Sequence, residues 1–322
     1  MTAGPLDDPN PRFELAADAD SDMDTRRTLL VDAFTDEPLA GNAAGVVPDA
    51  AGLDADQMQA VARELSVSET AFLLPAESAD RRVRYFTPTQ EVDLCGHATV
   101  AAHAALAADG VLDAGTHTLE TAVGVLDVEV TESGRVWMTQ DDPTVRTVDL
   151  DYGRVGEALG VDPAALEDVG ADLPPAYAST GLPFLVVPVN FLERLGDADP
   201  DADAVAALAA DHDAVGVYAF TFDALAEAST LHARTFAPGA GVPEDPVTGT
   251  ASGACGAYLR HVGAFDGELP EEMRFEQGHF VDRPGHVHVR VGEAVRVGGD
   301  AVVALEGELT VPPSADDDIV EA

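Results

Sequence analysis

The segment "EDPVTGTASGACGAYL" (Glu244–Leu259) joins an acidic turn to a run of small residues. A second segment, "EVDLCGHATVAAHAAL" (Glu91–Leu106), has the same plan 153 positions earlier. At this offset the first Glu, one Gly, three Ala and the last Leu of the two segments coincide. Each segment predicts a helix that begins with Gly and carries mostly small side chains, which suits a helix enclosed on all sides.

An upstream element supports a duplication of the chain. The pentapeptide "RYFTP" (Arg84–Pro88) precedes the first helix, and "RTFAP" (Arg234–Pro238) precedes the second, after allowing three extra residues in the second copy. Alanine-rich helices match each other easily, but an R-x-F-x-P element followed by Glu and Gly in the same order is a stronger match. A period near 150 residues predicts two similar domains rather than a solenoid.

Each copy predicts the same order of elements: strand, helix, strand, an R-x-F-x-P strand, an acidic loop, the small-residue helix, and closing strands of alternating polarity. The fold class predicted is α+β, with two pseudo-duplicated domains, each a curled mixed sheet around a central helix. The predicted elements are Thr28–Phe34, Ala55–Leu65, Glu69–Leu74 and His97–Ala108 in the first copy, and Ala176–Val187, Asp203–Ala210, Val215–Phe222 and Thr250–Val262 in the second.

Domain bounds follow from these elements. We predict one domain over residues 28–146 and another over 147–311, leaving open whether the last strand returns to the first domain. Residues 1–27 and 312–322 are acidic and irregular, which predicts a disordered leader and tail. The leader has no apolar run typical of a secretory signal, so a cytoplasmic location is expected.

The charge excludes several functions. The net charge of −42 makes nucleic acids and anionic membranes poor partners, and acids spread along the whole chain predict adaptation to high salt in a halophile. The 17 basic residues are all Arg, and the absence of Lys excludes a pyridoxal phosphate Schiff base, a P-loop and a Lys base. Only two cysteines, Cys95 and Cys255, are present, and HExxH and strand-bounded GxGxxG motifs are missing, so we expect no metal site and find no signal of dinucleotide binding.

The beginnings of the two small-residue helices suggest the chemistry. The first N–H groups of a helix have no partner within it, and the helix dipole makes this end positive. Two such ends directed at one cleft would hold a substrate carboxylate between them. Moving a proton on the carbon next to that carboxylate also requires a positioned base.

Without Lys, the base must be a carboxylate, His or Cys. Glu69, at the start of an apolar strand, is the strongest candidate, although a surface glutamate at a strand edge is an equally simple interpretation. Asp245 and His97 lie at the two helix starts, where they could instead cap a turn or bond a loop carbonyl. Cys95 could be a thiolate whose pKa is lowered by the helix start, whereas Cys255 is expected to be buried.

Five ordered stretches resemble the phenazine-biosynthesis-like (PhzF-type) isomerases, which are related in fold to diaminopimelate epimerase. They are "VDAFTDEPLAGNAAGVV", "LSVSETAFLLP", "RYFTPTQEVDLCGHATVAAH", "GVPEDPVTGTASGA" and "EQGHFVDRPG", and the resemblance runs from about residue 29 to 309. Asp282 and Gly285 depart from the family's G-R-P-S pattern, and Ala43 and Ala98 replace frequent prolines.

The resemblance implies a cofactor-independent isomerase, usually a homodimer, with its site between the domains. It implies that Glu69 is the acid/base, that His97 and Asp245 assist, and that Gly96, Gly249 and Thr250 bind the substrate carboxylate. Asn42 and Ser68, from the A-G-N and S-E-T motifs, are the other residues expected to contact substrate.

Two alternatives remain open. Epimerases related to the family use two cysteines, but Thr248 occupies the second position here, which disfavours racemisation by two thiols. The first alternative is therefore an amino-acid epimerase in which Cys95 works with another base. The other alternative is an inactive member of the fold that binds a small acid or a protein.

Overall fold

The computed structural model describes residues 24–167, 169 and 173–314. Most of the predicted leader and tail, residues 1–23 and 315–322, lies outside the described residues. The leader prediction is wrong at its end, because residues 25–27 already belong to the first strand. Just before that strand, the Asp24 carbonyl oxygen accepts from the Val311 N–H, near the last described residues.

The first repeat contains eight strands and two helices. In chain order they are β1 (Thr25–Ala33), β2 (Asn42–Val47), α1 (Ala55–Leu65), β3 (Glu69–Leu74), β4 (Arg81–Phe86), β5 (Glu91–Val92), α2 (Gly96–Ala108), β6 (Gly115–Thr121), β7 (Gly124–Val130) and β8 (Val136–Thr139).

Among the described residues, one strand and two short helices connect the repeats, and the second repeat and a further strand follow. These elements are β9 (Thr144–Thr147), α3 (Tyr152–Leu159), α4 (Ala164–Glu167), β10 (Ala176–Ser179), β11 (Pro183–Pro188), α5 (Leu192–Gly196), α6 (Ala202–Ala210), β12 (Gly216–Thr221), β13 (Leu231–Ala237), β14 (Val242–Asp245), α7 (Gly249–His261), β15 (Met273–Gln277), β16 (Gly285–Val291), β17 (Val295–Gly299) and β18 (Ala301–Thr310).

Strand pairing follows one pattern in both repeats, which confirms the pseudo-duplication. The first two strands pair antiparallel, the second and third pair parallel, and the third and fourth pair antiparallel. The fourth strand then pairs parallel with the strand after the small-residue helix, from which antiparallel hairpins continue.

The repeats also exchange their last strands. β9 follows the first repeat but pairs with β10, while β18 follows the second repeat and pairs with β1. β8 and β17 pair with each other, so the described strands form one mixed sheet of 18 strands that runs through both repeats. Because two strands are exchanged, each repeat closes with a strand from the other.

The helices α2 and α7 run through the centres of the curled sheets. Every residue of α2 from Ala98 to Leu106 is buried, and the central residues of α7 are buried in the same way. A Cβ atom at Gly256 would lie 2.6 Å from Val289 Cγ1, and one at Gly253 would lie 3.0 Å from Val297 Cγ1. The small residues of α7 are therefore required by strands that approach closer than larger side chains allow.

Local sequence signals determine where α1 begins and ends. Its last residue leads into the candidate site. The Asp54 side chain accepts from the Gln57 N–H while the Gln57 side chain accepts from the Asp54 N–H, a reciprocal capping box. Ser66 ends α1 in the left-handed conformation. Glu69 opens β3 only three residues later.

The strands differ from the prediction in two places. The single strand predicted over Ala176–Val187 is two antiparallel strands, β10 and β11, which reverse direction through Gly181 at φ 135°. The strand β2 was not predicted. It lies between β1 and β3 and begins at Asn42.

Candidate active site

The side chains of Glu69, Cys95 and His97 converge where α2 begins. The distance from Glu69 Oε2 to His97 Nε2 is 3.4 Å, and the distance from Cys95 Sγ to His97 Nδ1 is also 3.4 Å. Ser68 Oγ lies 3.3 Å from His97 Nε2. The Glu69 side chain is 23% exposed and that of His97 is 11% exposed, so a small molecule at the helix start could reach the carboxylate.

Asp245 lies at the end of β14, in the segment that leads into α7. Thr248 Oγ1 donates to Asp245 Oδ2 over 2.5 Å, and Asn42 Nδ2 donates to Asp245 Oδ1 over 2.9 Å. Burial raises the pKa of Asp245 above the ordinary aspartate value, and the nearby Glu69 carboxylate acts in the same direction. Asp245 therefore keeps its proton to a higher pH than a free aspartate, which suits a proton donor.

Gln277, at the end of β15, joins the same network. Its side-chain amide donates to the Asp245 carbonyl oxygen over 2.7 Å and to Thr248 Oγ1 over 3.1 Å, and its side-chain oxygen accepts from the Thr248 N–H. Gln277 is buried and fixes the turn that leads into α7. The "EQGHF" stretch contained this residue, but its spacing alone gave no signal of the contact.

Neither small-residue helix is capped by the side chain that precedes it, among the residues that the structure describes. Cys95 and Thr248 occupy the two N-cap positions with extended backbones, and neither bonds the first turn of its helix. The hydroxyl of Thr248 is turned instead to Asp245. In both helices, N–H groups of the first turn therefore remain available to bind an anion.

The surroundings of the two starting glycines differ. A Cβ atom at Gly96 would meet no described atom within 4 Å, which indicates open space at the start of α2. A Cβ atom at Gly249 would lie 3.0 Å from the ring of Phe34, a buried residue with φ 65°. The ring of Phe34, from the end of β1, thus packs under the start of α7.

A loop clamp positions Asn42. Arg283 donates to the Asp32 carboxylate over 2.6 Å and to the Gly41 carbonyl oxygen over 2.9 Å, while the Gly41 N–H donates to the Pro284 carbonyl oxygen. Asp32 is 2% exposed, so this ion pair is anchored inside the fold. The clamp connects the loop before β2 to the loop before β16, and it was not predicted from the sequence.

Gly285, which replaces the serine of the family's G-R-P-S pattern, is required by close packing. A Cβ atom there would lie 2.6 Å from Val247 Cγ2 and 2.8 Å from the Phe34 carbonyl oxygen. A serine at this position would collide with the segment that leads into α7. The packing of this chain thus accounts for glycine where the family pattern suggests serine.

Comparison with known proteins identifies the family. The sequence profile described as "Phenazine biosynthesis-like protein" matches residues 31–307. The chain belongs to this family. It is 38% identical over 292 residues to "Uncharacterized isomerase YfhB" of Bacillus subtilis, covering 88% of this chain and 96% of that protein. It is 41% identical over 298 residues to an "Uncharacterized isomerase" of Deinococcus radiodurans, covering 87% and 94% of the two chains.

A solved structure supports the same assignment. The Bacillus anthracis phenazine biosynthesis protein of the PhzF family superposes with a TM-score of 0.81 at 33% identity, covering 89% of this chain and 99% of that one. The predicted fold class and the isomerase assignment are therefore confirmed. No helix among the described residues is long and apolar enough to cross a membrane.

The prediction of a lowered pKa for Cys95 is wrong. Burial raises the pKa of the Cys95 thiol well above its ordinary value, and the carboxylates of Glu69 and Asp245 raise it further. These effects outweigh the positive end of α2. In this isomerase Cys95 is a protonated thiol at neutral pH, and Cys255 is buried as expected.

The predicted residues are thus placed as follows. Glu69, His97 and Ser68 lie together at α2, and Asp245 lies at α7. Asn42 is buried, and its amide nitrogen donates to Asp245 and to a backbone carbonyl, so the contact in the structure is with the protein itself. The substrate contacts and catalytic roles remain predictions.

Proposed function

We propose that this isomerase moves a proton between carbons of a small carboxylated substrate, with Glu69 as the acid/base. The observation that carries the proposal is the position of Glu69. Its partly exposed carboxylate lies 3.4 Å from His97 Nε2, beside an uncapped helix start with open space next to Gly96.

Binding comes first in the proposed mechanism. The substrate carboxylate accepts hydrogen bonds from first-turn N–H groups of α2 and α7, at Gly96, Gly249 and Thr250, with the Ser68 hydroxyl as a further donor. These groups stabilise the negative charge that grows on the substrate when a C–H bond breaks. No metal or organic cofactor is needed for this step in the proposal.

Proton transfer then uses the two carboxyl groups differently. The Glu69 carboxylate takes the proton from carbon, and the electrons of that C–H bond pass toward the substrate carboxylate or a conjugated double bond. Glu69 returns the proton to another carbon, while His97 holds the Glu69 carboxylate in place. Asp245, whose pKa is raised by burial, supplies a hydrogen bond or a proton to the substrate.

The raised pKa of Cys95 argues against the epimerase alternative. A thiol that stays protonated at neutral pH is a poor base, and Thr248 offers no second thiol. A homodimer in a salt-rich cytoplasm remains part of the proposal, from the family resemblance and the net charge of −42.

Deuterium incorporation tests the function. The protein is incubated in deuterated buffer with concentrated KCl and a panel of small unsaturated, hydroxy and amino acids, and NMR follows the loss of C–H signals. The proposal predicts exchange at a carbon near the carboxylate of at least one unsaturated or hydroxy acid. Binding of these acids without exchange would favour the small-acid-binding alternative, and exchange confined to the α-carbon of amino acids would favour the epimerase.

A further inference from the structure

The three side chains at the start of α2 form a mixed set of sulfur, nitrogen and oxygen donors. The donor atoms of Glu69, Cys95 and His97 all lie within 4.8 Å of one another. The distance from His97 Nε2 to Glu69 Oε2 is 3.4 Å, and the distance from Cys95 Sγ to His97 Nε2 is 4.0 Å. Residues 26 and 28 positions apart in sequence are thus brought to one point by the β3–α2 packing.

These distances are close to those of a tetrahedral zinc site. Zinc bonds of about 2.0–2.3 Å place neighbouring ligand atoms about 3.4–3.6 Å apart. The Glu69–His97 distance already meets this value. The Cys95 sulfur is about 0.5 Å farther from His97 Nε2 than this value.

We propose that Glu69, Cys95 and His97 bind a thiophilic divalent cation such as Zn²⁺, and that the bound cation inhibits the isomerase. Three protein ligands with a fourth position open to solvent is an arrangement that zinc adopts readily. The open space beside Gly96 leaves room for that fourth ligand. The net charge of −42 also favours a cation.

Binding displaces one proton. The Cys95 S–H bond breaks, the sulfur–metal bond forms, and the proton leaves to the buffer. Protons and the metal therefore compete for the sulfur, and the apparent affinity for the metal falls as the buffer becomes more acidic. The cation would also occupy the Glu69 carboxylate, which could then no longer accept a proton from carbon. This inhibition rests on the proposed function, whereas the binding itself does not.

Cobalt gives a direct spectroscopic test of the ligand set. The full-length protein is freed of metal with a chelator and titrated with Co²⁺ in concentrated KCl, while near-ultraviolet absorbance and proton release are recorded. We expect one Co²⁺ per chain, a thiolate-to-cobalt charge-transfer band and about one proton released per metal bound. Zn²⁺ should displace Co²⁺ and remove the band.

Variants identify the ligands. Cys95→Ala should abolish the band, and Glu69→Gln and His97→Gln should weaken binding by about 100-fold. Cys255→Ala, which removes the other buried cysteine, should leave the band unchanged. Circular dichroism confirms that each variant is folded. A band that survives in folded Cys95→Ala, or no saturable band in the wild type, would overturn the site.

Metal binding and inhibition by the metal are tested by separate measurements. Metal binding is read by absorbance and does not depend on any substrate. Once a substrate is known from the exchange assay, Zn²⁺ at a concentration that saturates the site should stop deuterium incorporation, and added chelator should restore it. A saturated site with undiminished exchange would refute inhibition and also count against Glu69 as the base.

Discussion

The amide nitrogen of Asn42 donates to Asp245 Oδ1 and to the Val247 carbonyl oxygen, each over 2.9 Å. This side chain belongs to the first repeat, whereas its two partners belong to the segment that leads into α7 of the second. The position of the Asp245 carboxyl therefore depends on the packing of one repeat against the other. A carboxyl group held in this way is sensitive to changes in either repeat.

Asn42→Ala tests this connection. Because the Asn42 hydrogen bond lowers the pKa of Asp245, its loss should raise that pKa further above the ordinary value. The buried Val247 carbonyl oxygen loses its partner, so the free energy of unfolding should fall by about 1–3 kcal/mol. Carbon-13 NMR titration measures the pKa, and urea unfolding measures the stability. Asn190→Ala, at a separate cavity in the second repeat, is the control and should change neither.

The two starting glycines offer a matched pair of variants. Gly249→Ala places a methyl group against the buried ring of Phe34, and overpacking there should cost about 1–3 kcal/mol of stability. Gly96→Ala meets open space at the equivalent position of the first repeat and should cost less than about 0.5 kcal/mol. Urea unfolding measures both. Equal losses in the two variants would contradict the packing assigned to Phe34.

Cys95 should not act as a base. Since the raised pKa keeps the thiol protonated, Cys95→Ala should retain proton transfer within about tenfold of the wild type. The native thiol should also react slowly with iodoacetamide at pH 7.5 and faster at higher pH. Turnover and mass spectrometry measure these effects. Loss of nearly all turnover in a folded Cys95→Ala protein would restore the epimerase alternative.

Acid stability should depend on Glu276. This buried carboxylate accepts from His232 Nδ1 and from two backbone N–H groups, and these bonds lower its pKa to about 2 despite the opposing cost of burial. Because the pKa is lower in the folded state, its stabilisation is present above the unfolded value of 4.5 and is lost as the pH falls toward 2.

The size of this effect can be measured with a neutral replacement. A lowering from 4.5 to about 2 corresponds to about 3 kcal/mol at neutral pH. Urea unfolding at pH 6 and pH 3 in concentrated KCl should show a smaller acid-induced loss for Glu276→Gln than for the wild type. Glu271→Gln, at an exposed position, should behave as the wild type. An unchanged acid-induced loss in Glu276→Gln would refute this assignment.

Much of the fold could be predicted because local signals agreed with the final structure. The bounds of α1 and β3 are those predicted, since a capping box and a continuous apolar run mark them. The repeat predicted two sheets around small-residue helices. The return of the last strand, β18, to the first repeat was left open, and the pairing of β9 with β10 was not predicted, because pairing between distant strands leaves no local pattern.

The sequence predicted which residues belong to the candidate site but not the contacts between them. The motifs singled out Glu69, His97 and Asp245, but not the contacts of Gln277 or the Arg283–Asp32 clamp, which depend on loops that meet in the folded chain. The direction of the Cys95 pKa was predicted wrongly. A helix start was visible in the sequence, whereas burial next to two carboxylates was not.

The central claim is that Glu69 carries the proton, and deuterium exchange in Glu69→Gln tests it most directly. The amide has nearly the same shape but cannot accept a proton, so exchange with a substrate identified for the wild type should fall by about 10²–10⁴-fold. Glu64→Gln, at an exposed position of α1, should exchange at the wild-type rate. Exchange near the wild-type rate in a folded Glu69→Gln protein would contradict the account.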